Sequence, residues 1–368
     1  MRSRSKASRP PDFILFLTVL LLLSIGVVMV FSASEYYALV RYNDAFYFFK
    51  RQFLYAALGL GGMFFFLNYD YRNFKHLATP LLCLALSFLV LVLLPGVGHT
   101  SHGAQRWINL GPVTFQPSEV VKFGVVVFTA SWLSQRQGAV RRLREIIPLL
   151  GITCLAAVLI LLQPHLGTAV ALTGTVFIML FCAGMPLTTL SFLGVGGLAA
   201  VGAAVCLEPY RLKRFLAFLN PWKDPQVSGF HIIQSLYAIG SGGLFGMGLG
   251  QGKQKFLYLP EQHTDFIFAV IAEELGFIGA TLVIILFLIL IWRGLRIALY
   301  APDTFASLLA AGIITGIALQ ALINIGGVTG SLPVTGIPLP FISSGGTALV
   351  FTLAAVGVLL NISRFTTR

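Results

Sequence analysis

Charged residues are scarce in this sequence. Only 10% of its 368 residues are Asp, Glu, Lys or Arg, whereas 57% are hydrophobic and the mean hydropathy is +0.87. Soluble domains carry about 25% charged residues. The scarcity of charge therefore excludes an ordinary soluble protein and indicates an integral membrane protein with many spans.

Acidic residues are scarcer than basic ones. The chain has 13 Asp and Glu against 25 Lys and Arg, which gives a formal net charge of +12. In a soluble protein this excess would suggest a nucleic-acid partner. Here most basic residues lie in short connections between apolar runs, so we expect no nucleic-acid partner. We interpret the charge as a consequence of membrane topology, with anionic or phosphorylated lipid as an additional attraction.

Cysteine and several common catalytic motifs are sparse or missing. Four single cysteines lie in or beside apolar runs, and we interpret them as packing residues: Cys83, Cys154, Cys182 and Cys206. The chain lacks Gly-x-x-x-x-Gly-Lys-Ser/Thr, a nucleophile elbow and His-Glu-x-x-His. These absences exclude a P-loop nucleotide site, an elbow-type serine hydrolase and a zinc protease of the last pattern.

Long apolar runs predict an all-α polytopic membrane protein, because a spanning helix needs about 20 apolar residues. Ten helices are predicted near 12–32, 52–68, 78–96, 119–136, 146–163, 167–184, 188–206, 265–292, 304–326 and 343–362. The crowded runs in the middle also allow nine or eleven. The first run exceeds a signal-peptide core of about 7–15 residues, so we predict an uncleaved span. The expected parts are a tail (1–11), a membrane domain (12–362) and a second tail (363–368).

The distribution of Lys and Arg predicts the orientation of these helices. With the N-terminus inside, the termini and the short inner connections hold most basic residues. The short outer connections hold only Arg41, Lys50, Arg51 and Arg106. Basic residues favour the cytoplasmic side. We therefore expect both termini in the cytoplasm and the single long connection, 207–264 between helices seven and eight, outside.

The end of this connection is the most distinctive stretch of the chain. An amphipathic helix is predicted over 227–240, and glycines crowd positions 240–252. Glycine permits tight turns and close approach to a ligand. Five charged or titratable residues follow: Lys253, Lys255, Glu261, His263 and Asp265.

Asp265 stands where the eighth helix is predicted to begin. It could serve only as an N-cap, since carboxylates favour helix N-termini. A cap does not need Glu261 and His263 in the preceding four positions, or two lysines nearby. This clustering favours a chemical role for Asp265.

Other polar groups lie near the predicted outer ends of helices. Glu119 and Lys122 share one helix face at i,i+3, either as a structural salt bridge or as the lining of a polar cavity. Arg106 could bind phosphate or anchor the membrane interface with Trp107. We interpret three basic residues of the long connection as snorkelling anchors: Arg211, Lys213 and Arg214.

Two irregular segments interrupt the helical pattern at membrane depth. Pro338, Pro340 and the pair Gly345-Gly346 break the chain before the last span, with Gln320 and Asn324 as polar neighbours. Such backbone must be buried in protein or line a wet cavity. A similar break surrounds His165, which we interpret as a structural histidine.

These segments together resemble the SEDS proteins (shape, elongation, division and sporulation), most closely the branch of FtsW and SpoVE, with RodA next. The matching segments cover nearly the whole chain in order: 106–108, 116–119, 234–240, 259–269, 273–276 and 339–343. The resemblance implies ten spans and a glycosyltransferase that polymerises lipid II on the outer face of the bacterial cytoplasmic membrane. It implies a class B penicillin-binding transpeptidase and other divisome or elongasome membrane proteins as partners.

The resemblance also implies site residues. It aligns the family's essential Asp with Asp265 and its charged pair with Glu119 and Lys122. The candidate substrate-binding residues are Arg106, Glu119, Lys122, Lys253, Lys255, Glu261, His263 and Ser343. The chain departs from the family at His165, where an Asp is usual, and at Ser344, Thr347 and Ala348 in the last irregular segment. We therefore predict no role for position 165.

The expected reaction is an inverting attack of a sugar 4-hydroxyl on a lipid-pyrophosphate donor, with Asp265 as general base. Basic residues or a divalent cation, Mg²⁺ or Mn²⁺, would stabilise the pyrophosphate. One alternative is a lipid II flippase with Glu119, Lys122, Glu273 and Glu274 along its path. Another is a scaffold that activates the transpeptidase. The residues leave open whether the role is in division, elongation or sporulation.

Overall fold

The computed structural model describes residues 9–95, 98–101, 104–110, 113–136, 140, 143–254 and 259–366. Most of this chain is α-helical. The helices are α1 (Phe13–Tyr42), α2 (Tyr47–Asn68), α3 (Asn73–Leu93), α4 (Pro117–Gln135), α5 (Leu143–Leu161), α6 (Leu166–Cys182), α7 (Leu187–Cys206), α8 (Pro209–Leu219), α9 (Phe230–Gly242), α10 (Ile267–Leu299), α11 (Thr304–Val328) and α12 (Thr347–Ser363).

Ten of these described helices coincide with the ten predicted spans: α1 to α7, α10, α11 and α12. Six of them are long and apolar enough to cross a membrane: α1, α3, α5, α7, α10 and α11. The apolar helices α6 and α12 are shorter, and α2 and α4 carry charged side chains. The predicted polytopic helical fold is confirmed.

A small sheet corrects the expectation that the chain is wholly α-helical. The antiparallel strands are β1 (Gly98–Ser101), β2 (Ala104–Leu110) and β3 (Val113–Phe115), in that order. In this register Ile108 lies opposite Phe115. β-Branched and aromatic residues suit a half-buried strand, which explains why the connection between α3 and α4 forms strands. The sheet carries Arg106 on its central strand.

Glycines bring helices into close contact. The helices α2 and α12 pack side by side, and a Cβ added at Gly357 of α12 would clash with the backbone of Met63 in α2. On α1, a Cβ at Gly26 would overlap the backbone of Phe341 and Ile342. Small residues allow backbones to approach in this way in membrane proteins. The irregular segment before α12 is thereby held against α1.

The two described ends of the chain meet at one end of the bundle. The backbone N–H of Arg9 donates to Arg364 O at 3.0 Å, and Asp12 N donates to Ser363 Oγ at 3.0 Å. The Asp12 carboxylate forms an ion pair with Arg293 and caps α1 through Leu15 N. The two ends therefore lie on one side of the bundle, which is the arrangement that the predicted topology requires.

The long connection between α7 and α10 is folded. It contains α8, a 3₁₀ turn (Pro221–Lys223) and α9, and then the glycine-rich segment leads to α10. The predicted helix over 227–240 is confirmed as α9, with its start displaced by three residues and its end by two. The helix α8 was not predicted.

The close contact of α2 and α12 generates a prediction. Gly357→Ala forces a methyl group into the Met63 backbone, and such overpacking costs about 1–3 kcal/mol. We expect a lower midpoint of thermal unfolding in detergent. The matched control is Gly61→Ala on α2, where nothing lies within 4 Å of the added Cβ. An equal midpoint for both variants would contradict the packing argument.

Candidate active site

Asp265 lies in the last turn of the long connection, directly before α10. The N-cap position of α10 is Phe266, and no side chain of the described residues caps this helix. The simple N-cap alternative for Asp265 is therefore wrong. Its backbone carbonyl accepts a hydrogen bond from Asn324 Nδ2 at 2.8 Å. Its carboxylate borders a small cleft and faces Gly336.

The segment that faces Asp265 is held by three side chains. Gly336, Ile337 and Pro338 follow one another in irregular backbone. Gly336 O accepts a hydrogen bond from His165 Nε2 at 3.4 Å. Ile337 O accepts from Asn324 Nδ2 at 2.7 Å, and Pro338 O accepts from Gln320 Nε2 at 3.0 Å. Buried carbonyl groups outside regular structure need such partners.

The sequence predicted no functional role for His165 and favoured a structural histidine. Its ring is buried at the start of α6, where Nδ1 is bonded to Thr168 Oγ1 and Nε2 to Gly336 O. Because a carbonyl oxygen can only accept, Nε2 carries the proton and Nδ1 accepts from Thr168. Burial and the charge of Arg106 lower the pKa of His165 to about 3, so the ring is neutral at pH 7.

Ser343 links this segment to the connection before Asp265. Its Oγ donates to Thr264 O at 2.6 Å and accepts from Leu339 N at 2.8 Å. The neighbouring Ser344 N donates to His263 O at 2.9 Å. The Ser343 hydroxyl thus holds protein backbone, and its contact with substrate stays a prediction.

Glu119 and Lys122 form the predicted pair on α4. Lys122 Nζ lies 2.8 Å from Glu119 Oε2 and donates to Gln320 Oε1 at 2.9 Å. Gln320 in turn holds Pro338, so the pair is connected to the segment that faces Asp265. The pair also lies at an open groove between α4, α6, α11 and α12, whose other lining is mainly apolar.

Arg106 reaches from β2 to the end of α5. Its Nε donates to Gln163 O at 2.8 Å, and its Nη2 bonds to Pro164 O. Arg211 of α8 caps the same helix end through Leu161 O at 3.1 Å. The charges of Arg106 and Arg214 both act on Asp265. Arg214, interpreted from sequence as a membrane anchor, is therefore part of the site's electrostatic environment.

The pKa of Asp265 reflects opposing influences. Burial and the negative charge of Glu261 raise it to about 7, whereas Arg214 and Arg106 lower it. Glu261 adopts a positive φ of 52°, a strained backbone conformation of the kind found at functional sites. A carboxyl group with a pKa near the working pH is suited to accept and release a proton.

The side chain of His263 packs among aromatic rings. Its buried ring packs against Phe48, with 4.3 Å between ring centroids, and against Tyr37 at 5.7 Å. Burial lowers its pKa to about 4. The structure gives His263 a packing role, and its contact with substrate stays a prediction.

The glycine-rich segment is bound to the first turns of α10. Glu273 Oε1 accepts from Lys253 N at 2.7 Å, and Glu274 Oε2 accepts from Gly250 N at 3.1 Å and Ser32 Oγ at 2.6 Å. Glu273 and Glu274 therefore hold this segment and α1 in place. Lys253 is exposed, and Lys255 lies outside the described residues.

The described residues offer few ligands for the expected divalent cation. Among them, no group of three or more His, Cys, Asp and Glu side chains could hold a metal ion. Asp265 and Glu261 interact electrostatically. Mg²⁺ is usually bound by one or two carboxylates together with substrate phosphates, and each of these carboxylates is by its chemistry a suitable ligand.

The chain is similar to characterised families over nearly its full length. The family model FTSW_RODA_SPOVE, described as cell cycle protein, matches residues 12–368. Stage V sporulation protein E of Bacillus subtilis (strain 168) is 51% identical, over 96% of this chain and 97% of that protein. A protein named probable peptidoglycan glycosyltransferase FtsW, from Trichlorobacter lovleyi, is 46% identical over 96% and 93%.

Solved structures agree with these relationships. A chain from a peptidoglycan synthase complex, described for its coordination of polymerization and crosslinking, is 33% identical. It superposes with a TM-score of 0.80 over 97% of this chain and 99% of its own length. The rod shape determining protein RodA of Thermus thermophilus is 31% identical, with a TM-score of 0.73 over 97% and 98%. The present chain is a multi-pass membrane protein and belongs to the FtsW, RodA and SpoVE family of cell cycle proteins.

Proposed function

We propose that this protein is a peptidoglycan glycosyltransferase that polymerises lipid II into glycan strands. The observation that carries the proposal is the Asp265 carboxyl, whose pKa is about 7, in a cleft between the irregular segment at Gly336 and the turn at Glu261. The relatives named as probable peptidoglycan glycosyltransferases, 39–46% identical over nearly the full chain, support it.

The groove beside Glu119 and Lys122 suits the lipid chain of such a substrate. Its walls are mainly apolar, with Leu172, Ile317 and Phe351 among the lining residues. The charged pair gives it one polar element, and Gln320 links that element to the segment facing Asp265. We infer that the polyprenyl chain lies in the groove with its pyrophosphate toward Lys122 and Arg106.

The reaction follows from this placement. The 4-hydroxyl oxygen of the acceptor sugar attacks the anomeric carbon of the donor, and Asp265 takes the hydroxyl proton. The new glycosidic C–O bond forms as the bond from the anomeric carbon to the phosphate oxygen breaks with inversion. The lipid pyrophosphate leaves with the electron pair. Arg106 and Lys122 stabilise its charge. A divalent cation, Mg²⁺ or Mn²⁺, would supply further charge stabilisation when held by Asp265 or Glu261 with the phosphates.

The remaining parts of the proposal concern the cellular setting. We infer that the protein spans the bacterial cytoplasmic membrane with Asp265 on the external face, as the distribution of basic residues indicates. A class B penicillin-binding transpeptidase is the proposed partner, because a similar solved chain comes from a peptidoglycan synthase complex. The flippase alternative loses support, since Glu273 and Glu274 hold the glycine-rich segment.

Removing the base tests the catalytic assignment. Asp265→Asn keeps the size of the side chain but cannot accept the proton, so we expect at least about a 100-fold loss of lipid II polymerisation. The measurement is glycan-strand formation from purified lipid II with the cognate transpeptidase. The matched control, Glu208→Gln, changes an exposed carboxylate at the start of α8. Polymerisation by Asp265→Asn at the control's rate would refute the assignment.

The electrostatic environment of Asp265 predicts a pH dependence. The base must be ionised, so kcat should rise with pH through about 7, the pKa of Asp265. The charge of Glu261 raises that pKa. Glu261→Gln should therefore lower it and move the acidic limb of the kcat profile to lower pH. A limb that stays in place, or moves upward, would contradict the role of Glu261.

The bond between His165 and Gly336 predicts a positioning role. His165→Leu removes the donor to Gly336 O and should lower kcat about tenfold with little change in KM, since a buried unpaired carbonyl costs about 1–3 kcal/mol. His165→Gln keeps an N–H at a position similar to Nε2 and should restore most of the activity. Equal kcat values for the two variants, with equal thermal midpoints, would show that the bond does not position Asp265.

A further inference from the structure

The glycine-rich segment presents an apolar surface to the outside of the protein. Between positions 243 and 250, the side chains of Leu244, Phe245, Met247 and Leu249 are exposed, and Phe245 is 80% exposed. Clusters of exposed large apolar side chains mark surfaces that contact a membrane or a partner. We call residues 243–250 the apolar strap.

The strap is continuous with the outer surface of α10. Phe277 N donates to Gly243 O at 2.8 Å, and Ile278 N donates to Leu244 O at 3.2 Å. Phe277 and Ile278 are themselves more than half exposed. The strap and the lipid-facing side of this membrane helix therefore form one apolar surface.

The position of the strap along α10 coincides with a membrane boundary. The helix has a kink at Gly276, where φ is 68°. The apolar part after the kink, 277–292, is about 24 Å long at 1.5 Å per residue, which comes within about 6 Å of the thickness of a hydrocarbon core, about 30 Å. Arg293 and Arg296 lie near its other end. The kink, and with it the strap, thus lies where α10 leaves the bilayer.

Backbone N–H groups of the strap have hydrogen-bond partners within the protein, which suits a poorly hydrated environment. The kink frees two carbonyls of α10, and the strap uses them: Met247 N donates to Glu273 O at 2.9 Å and Gly248 N to Glu274 O at 3.0 Å. Gly246 N donates to Gly242 O at 2.8 Å, and Gly250 N to the Glu274 carboxylate. Backbone without such partners is not tolerated at membrane depth.

We propose that the apolar strap is seated in the interfacial layer of the bilayer, with its exposed side chains inserted among lipids beside α10. The lipid surface is the occupant that the observations favour, because the strap continues a membrane-spanning face. Through Glu273 and Glu274 the strap then fixes the depth of the first turns of α10 and of Asp265 just before them. The proposal does not depend on the proposed enzymatic function.

The proposal is tested by measuring how accessible a nitroxide spin label is to oxygen, which is concentrated in lipid, and to a water-soluble nickel complex. The four native cysteines are exposed, which corrects their interpretation as packing residues, and they are first replaced by Ala. The label is then placed at Phe245→Cys or Leu249→Cys. The matched control is Val227→Cys, 74% exposed in the same connection but distant in sequence from the strap. The full chain is measured in nanodiscs of phosphatidylcholine and phosphatidylglycerol.

We expect the ratio of oxygen to nickel-complex accessibility to be severalfold higher at 245 and 249 than at 227. Labels at 245 and 249 that favour the water-soluble nickel complex as strongly as 227 would overturn the proposal. So would labels that lose access to both reagents only when the transpeptidase partner is added, because the strap would then be a protein-docking surface. Thermal unfolding midpoints equal to that of the cysteine-free protein confirm that the labelled variants are folded.

Discussion

Three consecutive backbone carbonyls, those of Gly336, Ile337 and Pro338, impose the constraint on which the site depends. They lie in irregular backbone within a helical membrane bundle, where unpaired carbonyl groups are costly. Side chains from the start of α6 and from α11 bind them. Each of these side chains has a second partner. Asn324 holds the Asp265 backbone, Gln320 holds Lys122, and His165 binds Thr168. The partners of this one short segment thus connect Asp265, the charged pair and α6.

The electrostatics of Asp265 follow from this arrangement. Burial alone would raise its pKa, and Glu261 adds to that effect, while Arg106 and Arg214 act in the opposite sense. Arg106 is itself held by carbonyls at the end of α5, so its position is fixed by the protein. The balance leaves a carboxyl group that changes its protonation state near neutral pH, which a general base for a sugar hydroxyl requires.

The glycine-rich segment has a structural use that its composition did not reveal. Its glycines allow backbone to pack on backbone: Gly246 lies against the kink at Gly276, and both have positive φ. Glu273 and Glu274 bind its N–H groups. An abundance of glycine beside lysine indicated a loop that approaches pyrophosphate, but the same composition also suits a segment that must fit between a kinked helix and the bilayer.

The sequence by itself determined where ten of the described helices lie, because long apolar runs have few alternatives to a helix. It also determined the Glu119–Lys122 pair, since i,i+3 spacing on one helix brings the side chains together. Only the tertiary structure decided which distant residues meet. The contacts of Ser343 with Thr264, of His165 with Gly336 and of Ser32 with Glu274 join positions 79 to 242 residues apart. No local period encodes such contacts, because they arise from how helices pack and from the need of each buried polar group for a partner.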